Sequence, residues 1–255
     1  MENDGSLSFW LKVSIRDNHC ISPDIFSVKV AAPDVAKSAK SGQFIMVYLD
    51  KGELLLPRPI SIHDINDNEI EIIYQVVGKG TLVLSQMQSG QEIKILAPLG
   101  NGFTIPANAK KAAIVGGGIG TPPLYHLAKT LASLSIATDV YLGFRSAPIL
   151  AEKFRALKNG EVHIATEDGS HGHRGFVTDI FEPQNYEQIF ACGPEPMLHA
   201  VSALAARAAI PCQVSMEQRM ACGIGTCVGC VIRVGEQYAR VCCEGPVFDA
   251  KEVFL

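Results

Sequence analysis

The feature that most limits how this chain can fold is a group of closely spaced cysteines near its carboxyl end. The stretch MACGIGTCVGC places Cys222, Cys227 and Cys230 within nine positions, and one more cysteine follows at Cys242 or Cys243. The spacing Cys-x4-Cys-x2-Cys with a later fourth cysteine is the plant-type ligand pattern of a [2Fe–2S] cluster. Four thiolates must converge on two irons, so this segment must form a tightly wrapped loop, which its glycines permit.

Two other roles for the same cysteines stay open from the spacing alone. Zinc favours paired short spacings, so Cys227 and Cys230 can be combined with Cys242 and Cys243, but this set leaves Cys222 unused. Alternatively, the thiols are unliganded core side chains. The iron–sulfur interpretation uses the whole cluster of cysteines, and only one of Cys242 and Cys243 is needed to complete it.

The placement of the cysteines and the net charge limit the compartments and the partners that we expect for the protein. Five of the eight cysteines fall in the last 34 residues, which is typical of a metal site in a reducing compartment rather than of a disulfide framework. The opening MENDGSLSFW lacks the basic and apolar parts of a secretory signal, so we expect a cytoplasmic protein. A formal net charge of −4 argues against a nucleic-acid partner. Glycines and prolines interrupt the most apolar region, 112–134, so we expect no membrane helix.

The first hundred residues have the pattern of a mainly β domain. Residues 26–30 alternate apolar and polar side chains, and the run 44–49 is too apolar to be exposed. Two more β-type segments follow at 70–77 and 93–96, with Gly, Pro, Asn and Asp between them. Several short strands at this spacing predict a β-barrel or a β-sandwich, in which 81–88 is the only segment with a helical pattern.

Near residue 106 the pattern changes to alternating strands and helices. The apolar strand 112–115 is followed by a glycine-rich turn and by leucines at helical spacing over 124–134. Further strands are predicted at 139–144, 162–165, 188–192 and 213–216, and further helices at 149–157 and 196–209. Alternation of this kind predicts a parallel sheet covered by helices. With 47% hydrophobic residues in a chain of 255, there is room for about two domains.

The glycine-rich turn has the context of a dinucleotide site. Gly116, Gly117, Gly118 and Gly120 lie between an apolar strand and a helix, where backbone N–H groups can meet a pyrophosphate. Position 121 is threonine, so the turn departs from the G-x-G-x-x-G pattern. The second motif, Cys192-Gly193-Pro194, follows a later strand, and ligands of such sheets gather at the carboxyl ends of strands. A buried cysteine before an ordinary turn is the alternative for this second motif.

Two short motifs in the β-type region are weak when taken separately. In Arg58-Pro59-Ile60-Ser61, an arginine can neutralise a phosphate and a serine can bond a flavin ring. The segment 78–81, GKGT, is a glycine-rich turn leading into a short helix. Each is equally compatible with a β-turn and a helix cap.

The order of all these motifs resembles that of the ferredoxin–NADP⁺ reductase superfamily. The motifs are RPIS at 58–61, GKGT at 78–81, PLGNGF at 98–103, GGGIGTPP at 116–123 and CGPEPM at 192–197. The tail, MACGIGTCVGC followed by RVCCEGPVFD, is similar to that of the electron-transfer subunits of class 1B dihydroorotate dehydrogenases. The resemblance extends from about residue 9 to residue 253.

The resemblance implies a multidomain fold that combines the α+β and α/β classes. Its parts are an N-terminal antiparallel β-barrel FAD domain (1–104), a Rossmann-like parallel-sheet NAD domain (105–216) and a small C-terminal [2Fe–2S] segment (217–255). The implied FAD-binding residues are Arg58, Pro59, Ile60, Ser61, Ile73, Tyr74, Gln75, Gly80 and Thr81. The implied NAD-binding residues are Gly116, Gly117, Gly118, Gly120, Thr121, Cys192, Gly193 and Pro194. In the family the last cluster cysteine precedes an x-acidic-Gly-Pro sequence, which implies the ligands Cys222, Cys227, Cys230 and Cys242.

The resemblance also implies the activity and the partner. No set of acid–base residues for oxidising an organic substrate is found in this chain, so we expect that reaction on another subunit. The family supplies an FMN-containing dihydroorotate dehydrogenase catalytic subunit in a heterotetramer of two plus two. Electrons would run from dihydroorotate through FMN, [2Fe–2S] and FAD to NAD⁺, a step of pyrimidine biosynthesis.

Other functions stay open at this point. No acidic residue ends the second strand of the parallel sheet, and Arg145 with Ser146 lies near that edge, where an arginine can accommodate the 2′-phosphate of NADP. One alternative is therefore the small subunit of another NAD(P)H-dependent flavin and iron–sulfur oxidoreductase, of the ferredoxin:NADP⁺ or hydrogenase-associated type. A non-enzymatic iron–sulfur redox sensor is the alternative of a different class.

Overall fold

The structure, a computed structural model, describes residues 8–49, 52 and 54–254. Residues 1–7, which carry much of the segment used to predict the absence of a secretory signal, lie outside the described residues. The described chain forms a closed β-barrel, a seven-stranded mainly parallel sheet and a two-stranded hairpin. No helix among the described residues has the length and apolar character needed to cross a bilayer.

The barrel is built from six strands in the order β1-β2-β5-β4-β3-β6, and every neighbouring pair is antiparallel. Along β5, Ile70 and Ile72 lie in the barrel core, while Glu71 between them faces the other side, as the two-residue period of a strand requires. The elements are β1 (Phe9–Ser22), β2 (Ile25–Ala31), α1 (Pro33–Ser38), β3 (Phe44–Tyr48), β4 (Arg58–Asn66), β5 (Glu69–Gln75), α2 (Lys79–Ser85) and β6 (Glu92–Leu99).

The second sheet has the strand order β10-β9-β8-β7-β11-β12-β15, parallel except for its last pair. Its central strand β7 is buried on both faces: Ala113 and Val115 join one core, and Ala112 and Ile114 join another. The elements are β7 (Lys111–Gly117), α3 (Leu124–Ser133), β8 (Ala137–Phe144), α4 (Ala151–Ala156), β9 (Val162–Thr166), β10 (His173–Arg174), β11 (Gln188–Cys192), α5 (Glu195–Arg207), β12 (Cys212–Ser215) and β15 (Val247–Asp249).

The carboxyl-terminal segment wraps back onto this second sheet. After the cysteine loop come the hairpin strands β13 (Val231–Val234) and β14 (Gln237–Arg240), and the chain ends in α6 (Ala250–Phe254). Strand β15 pairs antiparallel with β12, with Val214 opposite Phe248. The cysteine loop is therefore anchored on its far side by a strand of the parallel sheet.

The predicted combination of an antiparallel barrel and a parallel sheet is confirmed. Three elements of the barrel region differ from the prediction. Strand β4 was identified only through its RPIS motif and not as a strand, because the polar residues His63 and Asp64 interrupt its apolar pattern. The fourteen-residue β1 was not predicted, because only Val13 and Ile15 along it are buried, which leaves little alternation to read. Helix α1 is a second helix in a region where a single helix was predicted, and it begins at Pro33, in the first turn where proline fits a helix.

Candidate functional site

The cysteine loop holds its sulfur atoms in pairs and directs backbone amides at them. The N–H of Cys227 donates to Cys222 Sγ at 3.4 Å, and the N–H of Cys242 donates to Cys230 Sγ at 3.4 Å. A third amide, Gly225 N–H, donates to Cys242 Sγ at 3.1 Å. Hydrogen bonds from amides favour the charged form of sulfur, which is the form that ligates metals.

The Cys222 sulfur shows the electrostatic consequence. Burial acts to raise the pKa of this thiol, but hydrogen bonds from the N–H groups of Cys227 and Ile224 outweigh it and lower the pKa to about 7. Cys222 and the exposed Cys227 lie on the solvent side, and Cys230 and Cys242 are buried. Within the described residues, no three His, Cys, Asp or Glu side chains are gathered closely enough to hold one metal ion. Two pairs of thiols suit two irons better than a single tetrahedral zinc.

The two candidates for the fourth ligand occupy different positions. The Cys242 side chain is 2% exposed, and the neighbouring Cys230 thiol contributes to raising its pKa, after burial. Cys243 Sγ lies 3.7 Å from Cys242 Sγ, on the side of Arg240 and Gly225. Cys242 therefore stands beside the other buried cysteine, as the fourth ligand of a paired set would.

Polar contacts close the loop. The Arg240 guanidinium pairs with the Glu244 carboxylate and also donates to the carbonyl of Gly225 at 3.0 Å. From the barrel side, Asn101 Nδ2 donates to the carbonyls of Cys243 and Glu244 at 3.2 and 3.1 Å. The cysteine loop is thus tied to the fourth-ligand segment, and that segment is tied to the turn that follows β6.

The loop rests directly on barrel strand β3. Met46 Cγ lies 2.6 Å from the position that a Cβ at residue 223 would take, so only glycine permits this approach. In the barrel, Met46 stands opposite Pro59, and its neighbour Val47 stands opposite Arg58. The cysteine loop therefore packs on β3, which pairs with the strand that carries the RPIS segment.

Two of the motifs from the β-type region meet each other. The Arg58 guanidinium lies across the start of α2, where a Cβ at Gly80 would fall 1.8 Å from Arg58 Nε. Thr81 Oγ1 accepts hydrogen bonds from the N–H groups of Val77 and Gly78 at 3.0 and 3.2 Å, which shapes the turn. A guanidinium beside a glycine turn has the donor chemistry that a pyrophosphate requires.

The remaining residues of this group come from the two strands beside the motif. Ser61 lies on β4 opposite Phe44, and β4 and β5 pair at Ile62 and Ile72, next to Ser61 and Ile73. Tyr74 is buried, and its hydroxyl has no hydrogen-bond partner among the described residues. A buried hydroxyl without a partner is costly, and a bound flavin nucleotide would supply one. The RPIS, 73–75 and GKGT segments are thus brought to one side of the barrel.

At the parallel sheet, the GGGIG and CGP turns fit into each other. Strands β7 and β11 run in register, with Gly116 beside Cys192. A Cβ at Gly120 would lie 2.5 Å from Gly193 Cα, so the two backbones touch without side chains. The fully buried Thr121 hydroxyl lacks a hydrogen-bond partner in the described part of the chain. Both turns lie at the carboxyl ends of parallel strands, where nucleotides bind in such sheets.

Cys192 itself is in a different state from the loop cysteines. Its side chain is buried, and burial raises the pKa of the thiol to about 12, against a hydrogen bond with Ser215. The thiol therefore stays protonated. It lies at the carboxyl end of β11, where the resemblance predicts the nicotinamide, as a neutral packing group.

Two paired strands, β3 and β4, connect all three places, and sequence reasoning missed the residues that make the connections. Strand β4 carries Arg58 and Ser61; its partner β3 carries Met46 against the cysteine loop; and His63, two residues after Ser61, donates from Nδ1 to the carbonyl of Pro122 at 2.8 Å. Pro122 lies two residues after the last glycine of the GGGIG turn. Met46, His63 and Asn101 act through contacts between distant segments, for which the sequence has no local signal.

Comparisons of sequence place the chain beside dihydroorotate dehydrogenases. Residues 217–254 match the family described as the iron–sulfur cluster binding domain of dihydroorotate dehydrogenase B. The chain is 43% identical over 216 residues to the dihydroorotate dehydrogenase B (NAD(+)) electron transfer subunit of Clostridium acetobutylicum, covering 85% of this chain and 87% of that one. It is 40% identical over 251 residues to the protein of the same name from Caldanaerobacter subterraneus subsp. tengcongensis, covering 96% and 98%.

Comparisons of structure agree on the fold. An NADH-dependent reduced ferredoxin-NADP oxidoreductase, described for flavin-based electron bifurcation, superposes with a TM-score of 0.85 at 30% identity, over 94% of this chain and 89% of that one. A ferredoxin NADP+ reductase from Neisseria gonorrhoeae with bound FAD and NADP superposes with a TM-score of 0.66 at 15% identity, over 78% and 91%. At that identity the second likeness concerns the fold alone.

Proposed function

The chain belongs to the family of electron-transfer subunits of NAD⁺-dependent dihydroorotate dehydrogenase B, and from that membership we propose which of its residues carry each step. As such a subunit it uses FAD, a [2Fe–2S] cluster and NAD, and works with a catalytic subunit that oxidises dihydroorotate in pyrimidine biosynthesis. The proposal concerns the ligand and binding residues, their arrangement and the assembly.

The flavin residues in this proposal surround the end of β4. Arg58 faces the FAD pyrophosphate together with Gly80 and Thr81, because its guanidinium already lies across that turn. The strand residues at the flavin ring are Pro59, Ile60, Ser61, Ile73, Tyr74 and Gln75. The Tyr74 hydroxyl, buried without a partner among the described residues, supports this placement.

The cluster ligands are Cys222 and Cys227 as one pair, with Cys230 and Cys242 as the other. The pairing follows the two amide-to-sulfur contacts, Cys227 to Cys222 and Cys242 to Cys230. Cys243 stays outside the set, against Arg240. The amides of the loop favour the charged form of the Cys222 sulfur, whose pKa they lower to about 7.

NAD is held at the interlocked glycine turns. Gly116, Gly117, Gly118 and Gly120 present backbone to the dinucleotide, and Thr121 offers the hydroxyl that lacks a partner within the described chain. Cys192, Gly193 and Pro194 form the opposite wall. Because the Cys192 thiol is neutral, it shapes the nicotinamide site and takes no proton there.

Such a chain converts one-electron transfer into hydride transfer. When bound, a [2Fe–2S] cluster would supply one-electron transfer, and FAD would supply the exchange between single electrons and the hydride that converts NAD⁺ to NADH. The observation that carries the proposal is the position of β4, which bears the flavin motif, pairs with the strand β3 whose Met46 packs against the cysteine loop, and touches the residue after Thr121 through His63. This arrangement of β3 and β4 supports a placement of the three carriers close to one another.

A visible spectrum under anaerobic conditions tests the proposal. Addition of NADH to the purified, cofactor-loaded chain should bleach both the flavin and the cluster bands. Arg58→Ala should lower the FAD content while the iron content stays, and Arg145→Ala, exposed at the end of β8, is the matched arginine control. Unchanged FAD in Arg58→Ala, or cluster and flavin bands that NADH leaves untouched, would contradict the proposal.

The second candidate is the ferredoxin:NADP⁺ type of oxidoreductase. It is favoured by the superposition with the NADH-dependent reduced ferredoxin-NADP oxidoreductase and by Arg145, exposed just beyond β8. A parallel titration with NADPH separates the two. Bleaching by NADH with little response to NADPH supports the dihydroorotate family assignment of the nucleotide site, and bleaching by NADPH alone supports the alternative.

The location, assembly and domain limits are also part of the proposal. We place the protein in the cytoplasm, in a heterotetramer of two catalytic subunits containing FMN and two chains of this kind. The domain limits 1–104, 105–216 and 217–255 stay a prediction. The pairing of β15 with β12 adds that the third segment is built onto the second.

A further inference from the structure

The junction between the barrel and the parallel-sheet domain is polar, and its centre is a histidine with no solvent exposure. His63 is 0% exposed, yet both ring nitrogens have partners: Nδ1 lies 2.8 Å from the carbonyl of Pro122, and Nε2 lies 3.2 Å from Lys153 Nζ. A carbonyl and an ammonium fix the tautomer, because the first only accepts and the second only donates. Nδ1 therefore carries the proton and Nε2 accepts.

The backbone aims His63 at this junction. Strands β4 and β5 shift register between Ile62 and Asp64, so His63 is the extra residue of a β-bulge. A bulge bends its strand and redirects the side chain, and such features recur beside active sites. His63 consequently leaves the pairing pattern of the barrel and reaches Pro122, two residues after the GGGIG turn.

The surroundings of His63 hold it in place. Lys153 on α4 also contacts Glu71 of β5 at 3.3 Å, and Glu71 accepts a hydrogen bond from Ser27 at 2.7 Å. The Tyr125 ring stacks on the His63 ring at a centroid distance of 5.0 Å. These contacts join the barrel to α3, which follows the turn, and to α4.

We propose that His63 is a positioning residue for hydride transfer, which fixes the GGGIG turn relative to the flavin motif on its own strand through the Pro122 carbonyl. The proposal rests on the function assigned above. It concerns the distance between two bound groups, since Arg58 and Ser61 lie on β4 and the turn ends two residues before Pro122. In the step concerned, NADH gives a hydride, two electrons with one proton, to FAD, so that NAD⁺ and two-electron-reduced flavin form. His63 exchanges no proton in it.

A second contact across the same junction provides a matched control. The Ser41 hydroxyl lies 2.8 Å from His126 Nδ1, one helical turn further along α3. This contact joins the barrel to the helix but not to the glycine turn. If His63 only held the two domains together, removing either contact would have the same effect on the rate of hydride transfer.

Three substitutions separate the contacts of His63. His63→Asn keeps an N–H donor near the position of Nδ1, His63→Gln keeps polar atoms near Nε2 instead, and His63→Leu removes both. The assay is single-turnover bleaching of FAD by NADH in the loaded full-length chain, without oxygen, together with the Kd for NADH. A misplacement of reacting groups by ~1 Å can cost on the order of 100-fold in rate, so we expect His63→Leu and His63→Gln to be slower by about tenfold or more with the Kd for NADH little changed.

His63→Asn should restore most of the rate, and Ser41→Ala should bleach like the wild type. Hydrogen exchange of the amides in 116–125 gives a second readout that needs no turnover. Exchange there should be faster in His63→Leu and His63→Gln, and like the wild type in His63→Asn and Ser41→Ala.

The outcomes distinguish failure of the proposed function from failure of the proposed role of His63. A wild-type chain whose flavin NADH fails to bleach would overturn the proposed function itself. A wild type that bleaches, with His63→Gln as fast as His63→Asn, would overturn the role of His63, as would a Ser41→Ala variant slowed to the same extent. If His63→Leu does not fold, the ordered comparison of Asn with Gln still decides.

Discussion

The end of strand β11 and the cysteine loop at 222–230 both carry thiols, but they hold them in opposite environments. Cys192 is buried between strands, and burial raises its pKa to about 12. Cys222 stands at the surface end of a loop whose amides lower its pKa to about 7 against the effect of burial. The same side chain is a neutral packing group in one region and a prepared ligand in the other. The backbone around each sulfur decides which of the two it is, and residue type alone does not.

The largest expected effect is that of removing a proposed cluster ligand from the cysteine loop, compared with removing the thiol at the end of β11. Cys227→Ser should abolish the visible absorption of the cluster and reduce bound iron from two atoms per chain to nearly none, with FAD retained. Cys192→Ala, the matched change at β11, should leave the iron content as in the wild type. Iron analysis and visible spectra of both variants measure the contrast. Equal loss of iron in the two would remove the distinction between the regions.

A finer test lies within the cysteine loop. Cys242→Ser should lose the cluster, because this thiol is buried beside Cys230 and receives the Gly225 amide. Cys243→Ser should keep it, because that thiol lies on the side of Arg240. Electron paramagnetic resonance of the dithionite-reduced proteins would show the cluster signal in one variant and not in the other. The reverse pattern would move the fourth ligand to Cys243.

The two regions also differ in how much of them the sequence discloses. The parallel sheet follows from continuous apolar runs, since β7 and β11 are buried on both faces and need no distant partner to be recognised. The cysteine spacing likewise names the candidate ligands, because three of them come from one compact loop and only Cys242 and Cys243 follow it. In both cases the signal is local and dense.

The rest depends on contacts that no local pattern encodes. Strand β15 has only three residues and exists because β12 offers it an edge. The support of the cysteine loop by Met46, and the bulge that turns His63 toward Pro122, join segments far apart in the chain. Such residues become visible only when the packing is known, even though they determine how the carriers are arranged.

Because His63 is buried at the junction between the barrel and the parallel-sheet domain, the stability of the fold depends on pH. Burial lowers the pKa of His63 from 6.5 to about 4, with Pro122, Glu71 and Asp64 acting to raise it and Lys153 to lower it further. The unfolded chain therefore binds a proton at a higher pH than the folded chain does. Stability contributed by neutral His63 is present above pH 6.5 and is lost as the pH falls toward 4.

Since one pKa unit corresponds to about 1.4 kcal/mol, lowering the pKa of His63 from 6.5 to about 4 corresponds to about 3 kcal/mol of unfolding free energy. Urea unfolding between pH 7 and pH 4 should show this loss in the wild type and a shallower slope in His63→Gln. His19→Gln, an exposed histidine on β1, is the control and should follow the wild type. Parallel slopes for the wild type and His63→Gln would mean that His63 does not stay neutral in the fold.

The smallest effect concerns the close approach at the two glycine turns. Gly120→Ala would put a Cβ 2.5 Å from Gly193 Cα, and overpacking of this kind costs about 1–3 kcal/mol. Gly78→Ala is the matched control, because nothing lies within 4 Å of a Cβ there and its extended backbone suits any residue. Gly120→Ala should change both the free energy of unfolding, measured in urea, and the Kd for NADH. Gly78→Ala should change neither. The cysteine loop lies on the barrel side of the molecule, so Gly120→Ala should keep its iron. Loss of iron in that variant would show that the two regions are coupled more tightly than their contacts through β3 and β4 imply.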